Sequence, residues 1–149
     1  MNEYDSFEYD SLKLENQLCF PLYAASRLVT KCYQPLLQEF DLTYPQYLVL
    51  LILWETDSVN LKVISEKLHL QTNTITPLLK RMEEAGLIDR TRSPDDERSM
   101  IISLTKNGQE LKLKVIKIPG LLTSNIGISL DEAHQLHGLL YKLIGHLSQ

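Results

Sequence analysis

Two stretches near the ends of the chain repeat apolar residues at the three- and four-residue spacing of an amphipathic helix. The first runs from residue 12 to about residue 34, where Pro35 closes it. The second runs from about residue 130 to the C-terminus, behind a capping box that begins at Ser129. Pro21 either kinks the first helix or marks a start near Phe20. These apolar faces need partners, and a second copy of the chain could supply one.

The middle of the chain carries an unbroken apolar run of eight residues, Tyr47–Trp54. A capping box with proline in its first turn, Thr43-Tyr44-Pro45-Gln46, precedes the run and predicts a central, buried helix. The run is too short for a membrane span, which needs roughly 20 residues. Two short amphipathic segments follow, Leu61–Leu68 and Thr72–Ala85. They are joined tightly, as in a helix-turn-helix.

After Gly86, which predicts the end of the second segment, the apolar period changes from helical to alternating. Residues 87–92 and 100–104 are typical of two strands, and the polar residues 93–99 form a charged tip, so we predict a β-hairpin wing. Thr105 then caps a helix that we expect to end near Ile118, before Pro119-Gly120. The predicted fold is mainly α (α+β): a winged helix-turn-helix over residues 43–105, flanked by helices in residues 12–42 and 106–149, behind an arm of residues 1–11.

The composition, 44% hydrophobic and 23% charged residues, is that of an ordinary globular protein. The first residues are acidic and show no signal peptide, and two cysteines make no disulfide framework, so we expect a cytoplasmic protein with reduced thiols. The net charge of −4 is unevenly distributed, because residues 61–118 hold 11 Lys and Arg against 8 Asp and Glu. Only this middle part is positive, which favours an anionic partner there.

The second helix of the predicted helix-turn-helix begins with small hydroxyl and amide side chains, which can reach base edges and phosphates from the major groove. Basic residues follow one turn later and again on the wing, where arginine can enter the minor groove. The predicted DNA contacts are Thr72, Asn73, Thr74, Thr76, Lys80, Arg81, Arg90, Arg92 and Arg98. A solvated helix face and a charged turn are the alternative for each feature alone. Their order along the chain favours double-stranded DNA.

Several of these segments resemble a known family. Residues 78–83, 86–88, 95–98 and 102–105 are similar to the winged-helix core of the MarR family, and the resemblance implies that Asp96 positions Arg98 over the minor groove. Residues 14–20, Tyr23, residues 33–37 and residues 42–47 resemble its OhrR branch, the organic-hydroperoxide sensors. The resemblance covers nearly the whole chain from about residue 12. The segment Gln71–Pro77 departs from the branch, at the start of the recognition helix, and leaves the operator sequence open.

The resemblance gives Cys19 the role of a redox-sensing thiol, in a chain of the one-cysteine type. Tyr23 lies one helical turn later, and the resemblance implies that Tyr33 and Tyr44 reach the cysteine from the other subunit. Peroxide oxidises a thiolate to a sulfenic acid, and tyrosine hydroxyls can hydrogen-bond the thiolate without adding charge. The residues alone leave the alternative that Cys19 is a small buried hydrophobe.

Other candidate sites are weaker. Cys32 lies 13 residues from Cys19, too far for a disulfide within one straight helix. The resemblance to the one-cysteine type implies that a small cellular thiol caps the oxidised cysteine. A disulfide to Cys32 of a second copy is the alternative. Asp131, His134 and His137 have helical spacing for zinc, but a solvated helix face is the favoured interpretation. Phosphate loops, nucleophile elbows and paired carboxylates do not occur in the sequence, so we expect no metal, no cofactor and no enzyme.

The hypothesis is a homodimeric repressor that binds operator DNA and releases it when an organic hydroperoxide oxidises Cys19. Residues 43–105 would bind DNA, and residues 12–42 and 106–149 would form the dimerisation and redox-sensing region. Two rival hypotheses stay open. One is a MarR-type regulator that responds to a small phenolic ligand with Cys19 inert, and the other is a thiol peroxidase.

Overall fold

The computed structural model describes residues 10–148. The helices are α1 (Cys19–Gln38), α2 (Tyr44–Glu55), α3 (Leu61–Leu68), α4 (Thr72–Glu84), α5 (Lys106–Val115), α6 (Ile118–Ile126) and α7 (Leu130–Leu147), with a short 3-10 helix at Leu14–Asn16. The strands are β1 (Val59–Asn60), β2 (Ile88–Arg92) and β3 (Met100–Leu104). The predicted mainly helical fold with a small sheet is confirmed. Except for Asp10 and Ser11, the predicted arm lies outside the described residues.

The chain divides into two compact units, residues 1–117 and residues 118–149. The first unit contains the helix-turn-helix and the wing together with α1 and α5, so it is larger than the predicted winged-helix segment. The second unit contains α6 and α7. The predicted division into a DNA-binding segment, residues 43–105, and a dimerisation and redox-sensing region on either side of it stays a prediction.

Helix α2 supplies the largest share of the core of the first unit, as its apolar run predicts. Thr43 N donates to Gln46 Oε1 at 2.9 Å, so the predicted capping box fixes where the helix begins. The core side chains of α2, α3 and α4 lie at the predicted apolar positions: Tyr47, Val49, Leu50, Ile52, Leu53, Ile64, Ile75, Leu79 and Met82. Each fully buried aliphatic side chain contributes about 1.5–3 kcal/mol relative to exposure. This burial holds α4, the second helix of the helix-turn-helix, in place against α2 and α3.

The wing is part of a three-stranded antiparallel sheet with the order β1-β3-β2. Strands β2 and β3 pair from Ile88 opposite Leu104 to Arg92 opposite Met100, which confirms the predicted hairpin. Strand β1 was not predicted, because two residues are too few to show an alternating pattern. It pairs with β3 through Val59 opposite Ile102 and closes the base of the wing.

Helix α1 begins and ends later than the predicted range of residues 12–34. It begins at Cys19, which places Pro21 in the first turn, where a missing N–H breaks no intrahelical hydrogen bond. The predicted start near Phe20 is therefore confirmed, and the alternative of a kink is wrong. The prediction that Pro35 closes the helix is also wrong, because α1 continues to Gln38. Leu37 is completely buried, and its burial offsets the hydrogen bond that Pro35 removes.

The region after the wing also differs from its prediction. Helix α5 ends at Val115, and a separate helix, α6, begins at Ile118. Pro119 therefore stands in the first turn of a helix, a position that suits proline, and does not break one. Helix α7 begins as predicted, since Ser129 N donates to Glu132 Oε2 at 2.8 Å and Glu132 N donates to Ser129 Oγ at 3.2 Å.

Helix α5 lies against the turn before the wing, and the contact requires a glycine. A Cβ added to Gly108 would lie 2.1 Å from the carbonyl oxygen of Leu87, closer than atoms can approach. Trp54 Nε1 donates to the carbonyl oxygen of Gly108 at 2.9 Å, so the same residue also joins α5 to α2. This close packing positions the first strand of the wing.

Candidate nucleic-acid interface and thiol site

Helix α4 presents a polar face opposite its buried one. Ile75, Leu79 and Met82 pack into the core, and this orientation leaves the predicted DNA-contact residues of the helix exposed: Thr72, Asn73, Thr74, Thr76, Lys80 and Arg81. Thr76 Oγ1 donates to the carbonyl oxygen of Thr72 at 2.8 Å, so this hydroxyl is fixed near the start of the helix. The predicted residues of α4 therefore form one continuous polar surface.

The tip of the wing is held by its own hydrogen bonds. Asp96 Oδ1 accepts from the backbone N of Arg98 at 2.9 Å, and Arg92 Nη1 donates to the carbonyl oxygen of Glu97 at 2.7 Å. Ser93 N donates to the carbonyl oxygen of Ser99 at 2.8 Å and closes the loop. Asp96 thus fixes the backbone of Arg98, which leaves the exposed Arg98 side chain to extend from the tip.

Arg90 differs from the other basic residues predicted to contact DNA. Its Nε and Nη2 donate to Glu83 Oε2 at 2.9 and 2.6 Å, and its guanidinium is largely covered. The sequence did not identify Glu83 as a functional residue, because nothing in the spacing reveals a contact between a helix and a following strand. Contact of Arg90 with DNA stays a prediction, and its observed contact is within the protein.

Cys19 is exposed and is the first residue of α1. The positive end of the helix dipole and the free N–H groups of the first turn favour an anion at this position. Because Cys19 is exposed in the single chain, the alternative that it is a buried hydrophobe is wrong for that chain. Tyr23 follows one turn later on the same face, where Arg27 Nη1 donates to its hydroxyl oxygen at 3.0 Å. The hydroxyl hydrogen of Tyr23 remains available for another acceptor.

Tyr33 and Tyr44 lie together, as their shared predicted role requires, but far from Cys19 of the same chain. Their ring centroids are 4.5 Å apart, and Tyr47 completes the cluster at 5.9 Å from Tyr33. Tyr33 lies 14 residues after Cys19 on α1, which corresponds to about 21 Å along the helix axis. Burial raises the pKa of Tyr33 to about 12, with Tyr44 and Tyr47 adding to the effect, so its hydroxyl stays a donor at neutral pH.

A cleft of about 670 Å³ lies beside this tyrosine cluster. Helix α1 and the turn before α2 form its walls, and the lining is mostly polar and charged: Arg27, Thr30, Lys31, Gln34, Gln38, Asp41, Leu42, Thr43, Tyr44 and Pro45. Apolar ligands usually bind in pockets lined by apolar and aromatic side chains. Most of the exposed surface in the cleft is nevertheless apolar, so its lining does not decide against the rival hypothesis of a phenolic ligand.

Other predicted chemistry is not assembled in the described part of the chain. Cys32 is exposed and free, about 20 Å along α1 from Cys19. No cluster of three or more His, Cys, Asp or Glu side chains in residues 10–148 could hold a metal ion, and His137 instead stacks near Tyr141 with ring centroids 4.6 Å apart. None of the described helices combines the length and hydrophobicity that a membrane span requires.

Comparison with known proteins agrees with this geometry. Residues 31–115 match the family described as transcriptional regulator SarA/Rot. The organic hydroperoxide resistance transcriptional regulator of Bacillus subtilis is 51% identical over 95% of this chain and 97% of its own length.

Two solved structures also match. Reduced AbfR bound to DNA is 39% identical and covers 95% of this chain and 99% of its own, with a TM-score of 0.78. Overoxidized AbfR bound to DNA is likewise 39% identical, with a TM-score of 0.77 over 94% of this chain and 98% of its own. The helix-turn-helix, the wing and these relatives together establish that the chain belongs to the SarA/Rot and MarR family of winged-helix transcriptional regulators.

Proposed function

We propose that this DNA-binding regulator is a homodimeric repressor that releases its operator when an organic hydroperoxide oxidises Cys19. The observation that carries the proposal is the exposed thiol at the start of α1, with Tyr23 and Arg27 in a row along the same face. The similarity to an organic hydroperoxide resistance regulator supports the choice of oxidant. The protein acts in the cytoplasm, where its DNA lies.

The chemistry needs two steps. The Cys19 thiolate attacks the terminal oxygen of the hydroperoxide, the O–O bond breaks, and Cys19 becomes a sulfenic acid. The alkoxide that leaves takes a proton from water and becomes the alcohol. A small cellular thiol then attacks the sulfenic sulfur, which forms a mixed disulfide and releases water. Cys32 is too far along α1 to take the place of that thiol within one chain.

The tyrosine cluster supports this chemistry from a second copy of the chain. Because Tyr33 and Cys19 of one chain are about 21 Å apart along α1, a hydrogen bond from Tyr33 or Tyr44 to the thiolate must cross a dimer interface. Exposed apolar side chains on α1 and on α7 provide surfaces for such an interface, among them Leu22, Leu28, Leu139 and Leu143. We propose that a second copy covers them.

Release follows from a change at that interface. The two recognition helices of a dimer must lie about 34–36 Å apart to enter successive major grooves. A bulky thiol on Cys19 would displace α1 against the partner and change this separation. The related AbfR has been solved bound to DNA in an overoxidized form. We therefore assign release to the mixed disulfide and not to added oxygen alone.

The decisive experiment is a DNA-release titration with cumene hydroperoxide in the presence of a small thiol. The probe is a labelled duplex, selected from a random-sequence library with the wild-type protein. We expect Cys19→Ser to bind DNA normally and to remain bound, while Cys32→Ser, the matched control, releases DNA like the wild type. Tyr33→Phe and Tyr44→Phe should slow release, because each removes a donor to the thiolate.

The outcomes also separate the rival hypotheses. Release of DNA by oxidised Cys19→Ser would remove Cys19 as the sensor and favour a ligand-responsive regulator. Loss of release in Cys32→Ser would favour a disulfide between two copies. Repeated consumption of peroxide by reduced protein with excess thiol would favour a thiol peroxidase, because a sensor reacts once for each activation.

A further inference from the structure

Glu83 and Arg90 form a three-point contact between the recognition helix and the wing. Glu83 lies in the last turn of α4, and Arg90 lies at the centre of β2. Glu83 Oε1 accepts from the backbone N of Arg90 at 3.2 Å, and Oε2 accepts from Nε and Nη2 at 2.9 and 2.6 Å. The contact therefore fixes both the backbone and the side chain of β2 relative to α4.

The coverage of its side chains separates this contact from the other ion pairs among residues 10–148. Lys67–Glu55 also joins two elements, α3 and α2, but its side chains are 43% and 71% exposed. Lys62–Glu66 and Lys106–Glu110 lie within single helices, and their side chains are well exposed. Such exposed pairs contribute little to stability. The Glu83 and Arg90 side chains are only 36% and 20% exposed, and they join two elements that a short turn connects. Both guanidinium donors bind one carboxylate oxygen, Oε2, while Oε1 binds the backbone N–H of the same residue, so the carboxylate holds Arg90 at three points through charge-assisted hydrogen bonds.

The turn between the two elements sets the angle of the wing. Gly86 adopts φ 69°, a conformation that glycine reaches without strain. The backbone of this turn is also held by Leu87 N donating to the carbonyl oxygen of Met82 at 3.0 Å, and Thr105 Oγ1 donates to the carbonyl oxygen of Gly86 at 2.6 Å. These hydrogen bonds hold the turn itself, whereas Glu83 holds the middle of β2. A change of angle at the turn would move the wing tip most, because the tip lies beyond the far end of β2. Arg98 stands on that tip.

We propose that Glu83 and Arg90 are positioning residues for DNA binding, which hold the wing at the angle that lets Arg98 and α4 engage one duplex together. The inference rests on the proposed wing contact of Arg98. It reverses the usual expectation for an acidic residue in a DNA-binding protein. Glu83 assists binding through the geometry of the wing, although its charge repels phosphates.

A double-mutant cycle with Arg98→Ala tests this role. Binding to the selected duplex is measured for Glu83→Ala, for Arg98→Ala and for the double variant. Glu84→Ala is the matched control, because it removes the same charge from an exposed neighbouring position. We expect Glu83→Ala to bind about tenfold more weakly, in the range of coupling between contacting residues, while Glu84→Ala binds equally or more tightly. In the Arg98→Ala background, Glu83→Ala should cause no further loss.

Three results would overturn the proposal. Tighter binding by Glu83→Ala would mean that the carboxylate only repels DNA. An undiminished loss in the Arg98→Ala background would mean that Glu83 acts on the fold and not through the wing tip. Unchanged binding by Arg98→Ala alone would mean that Arg98 does not contact DNA. That result would contradict the proposed DNA interface, and it differs from the first two results because it does not involve Glu83.

A conservative variant of Arg90 distinguishes a positioning role from a loss of folding. Arg90→Lys keeps the positive charge but loses the planar fork, so we expect weaker DNA binding with a thermal unfolding midpoint close to that of the wild type. Binding by Arg90→Lys equal to the wild type would show that charge alone suffices and would contradict a positioning role.

Discussion

At the residue scale, burial makes Tyr33 a probe of the tyrosine cluster. The pKa of Tyr33 is raised from 10.0 to about 12 in the fold, so the unfolded chain loses this proton at lower pH than the folded chain. The contribution of Tyr33 to stability is therefore present below pH 10 and is lost as the pH rises towards 12. Burial also raises the pKa values of Tyr44 and Tyr47. A phenolate absorbance titration should therefore show several late-ionising groups, and Tyr33→Phe should remove the one that ionises near pH 12. A late step of unchanged amplitude in Tyr33→Phe would contradict the assignment.

Gly108 illustrates how one missing side chain permits a close approach. Because a Cβ at this position would meet the carbonyl oxygen of Leu87 at 2.1 Å, Gly108→Ala should force α5 away from the wing. We expect a destabilisation of about 1–3 kcal/mol, the usual cost of overpacking. Urea unfolding followed by the fluorescence of Trp54 measures it, since Trp54 contacts the same residue.

Gly138→Ala is the matched control for Gly108→Ala. Gly138 lies in α7 with no atom near its absent side chain, so alanine there should stabilise the helix by up to about 1 kcal/mol. Equal effects of the two substitutions would mean that the contact with Leu87 is unimportant.

At the scale of the element, we expect Arg98 of the wing to contact DNA, and Asp96 holds the backbone of Arg98. Each phosphate contact contributes about 0.9 to the slope of log affinity against log salt. Arg98→Ala removes one contact from each half of a dimer, so we expect weaker binding and a slope shallower by up to about two units. Operator binding measured across a salt series gives both quantities. An unchanged slope would exclude Arg98 from the interface.

Asp96 should affect the wing differently, because Asp96 Oδ1 holds the backbone of Arg98 at 2.9 Å. Asp96→Ala should weaken binding less than Arg98→Ala, since the guanidinium remains and only its support is lost. Asp95→Ala removes the same charge from the adjacent exposed position and serves as the control. Asp95→Ala should bind DNA equally or more tightly, because it only removes a negative charge. Tighter binding by Asp96→Ala as well would mean that the acidic tip only repels DNA.

At the scale of the whole molecule, we expect dimerisation to depend on the exposed leucines of α7. Leu139 and Leu143 are 65% and 37% exposed in the isolated chain, and apolar surface of this kind favours association. Leu139→Glu should shift the protein towards monomer and weaken operator binding at nanomolar concentration, because the two half-sites then bind independently. Light scattering after size-exclusion chromatography measures the mass. His134→Glu, outside the leucine stripe, should remain dimeric, and a dimeric Leu139→Glu would place the interface elsewhere.

The sequence by itself determined the elements whose signals are local. Apolar periodicity and capping residues identified α2, α3, α4 and α7, since hydrogen bonds such as Ser129 to Glu132 connect residues only three positions apart. Alternation and the polar tip identified the wing in the same way. The resemblance of several motifs then identified the family, which comparison with relatives confirmed.

The tertiary structure decided what depends on contacts between distant residues. Helix α1 continues past Pro35 because Leu37 is buried, and Val59–Asn60 form a strand because they pair with β3. Proline at the start of α6 is compatible with a helix or a break, and the sequence alone did not distinguish them. The same holds for the sites. Only the folded chain brings Tyr33 to Tyr44 and Glu83 to Arg90, because these contacts arise from packing of one element on another, which leaves no fixed spacing in the sequence.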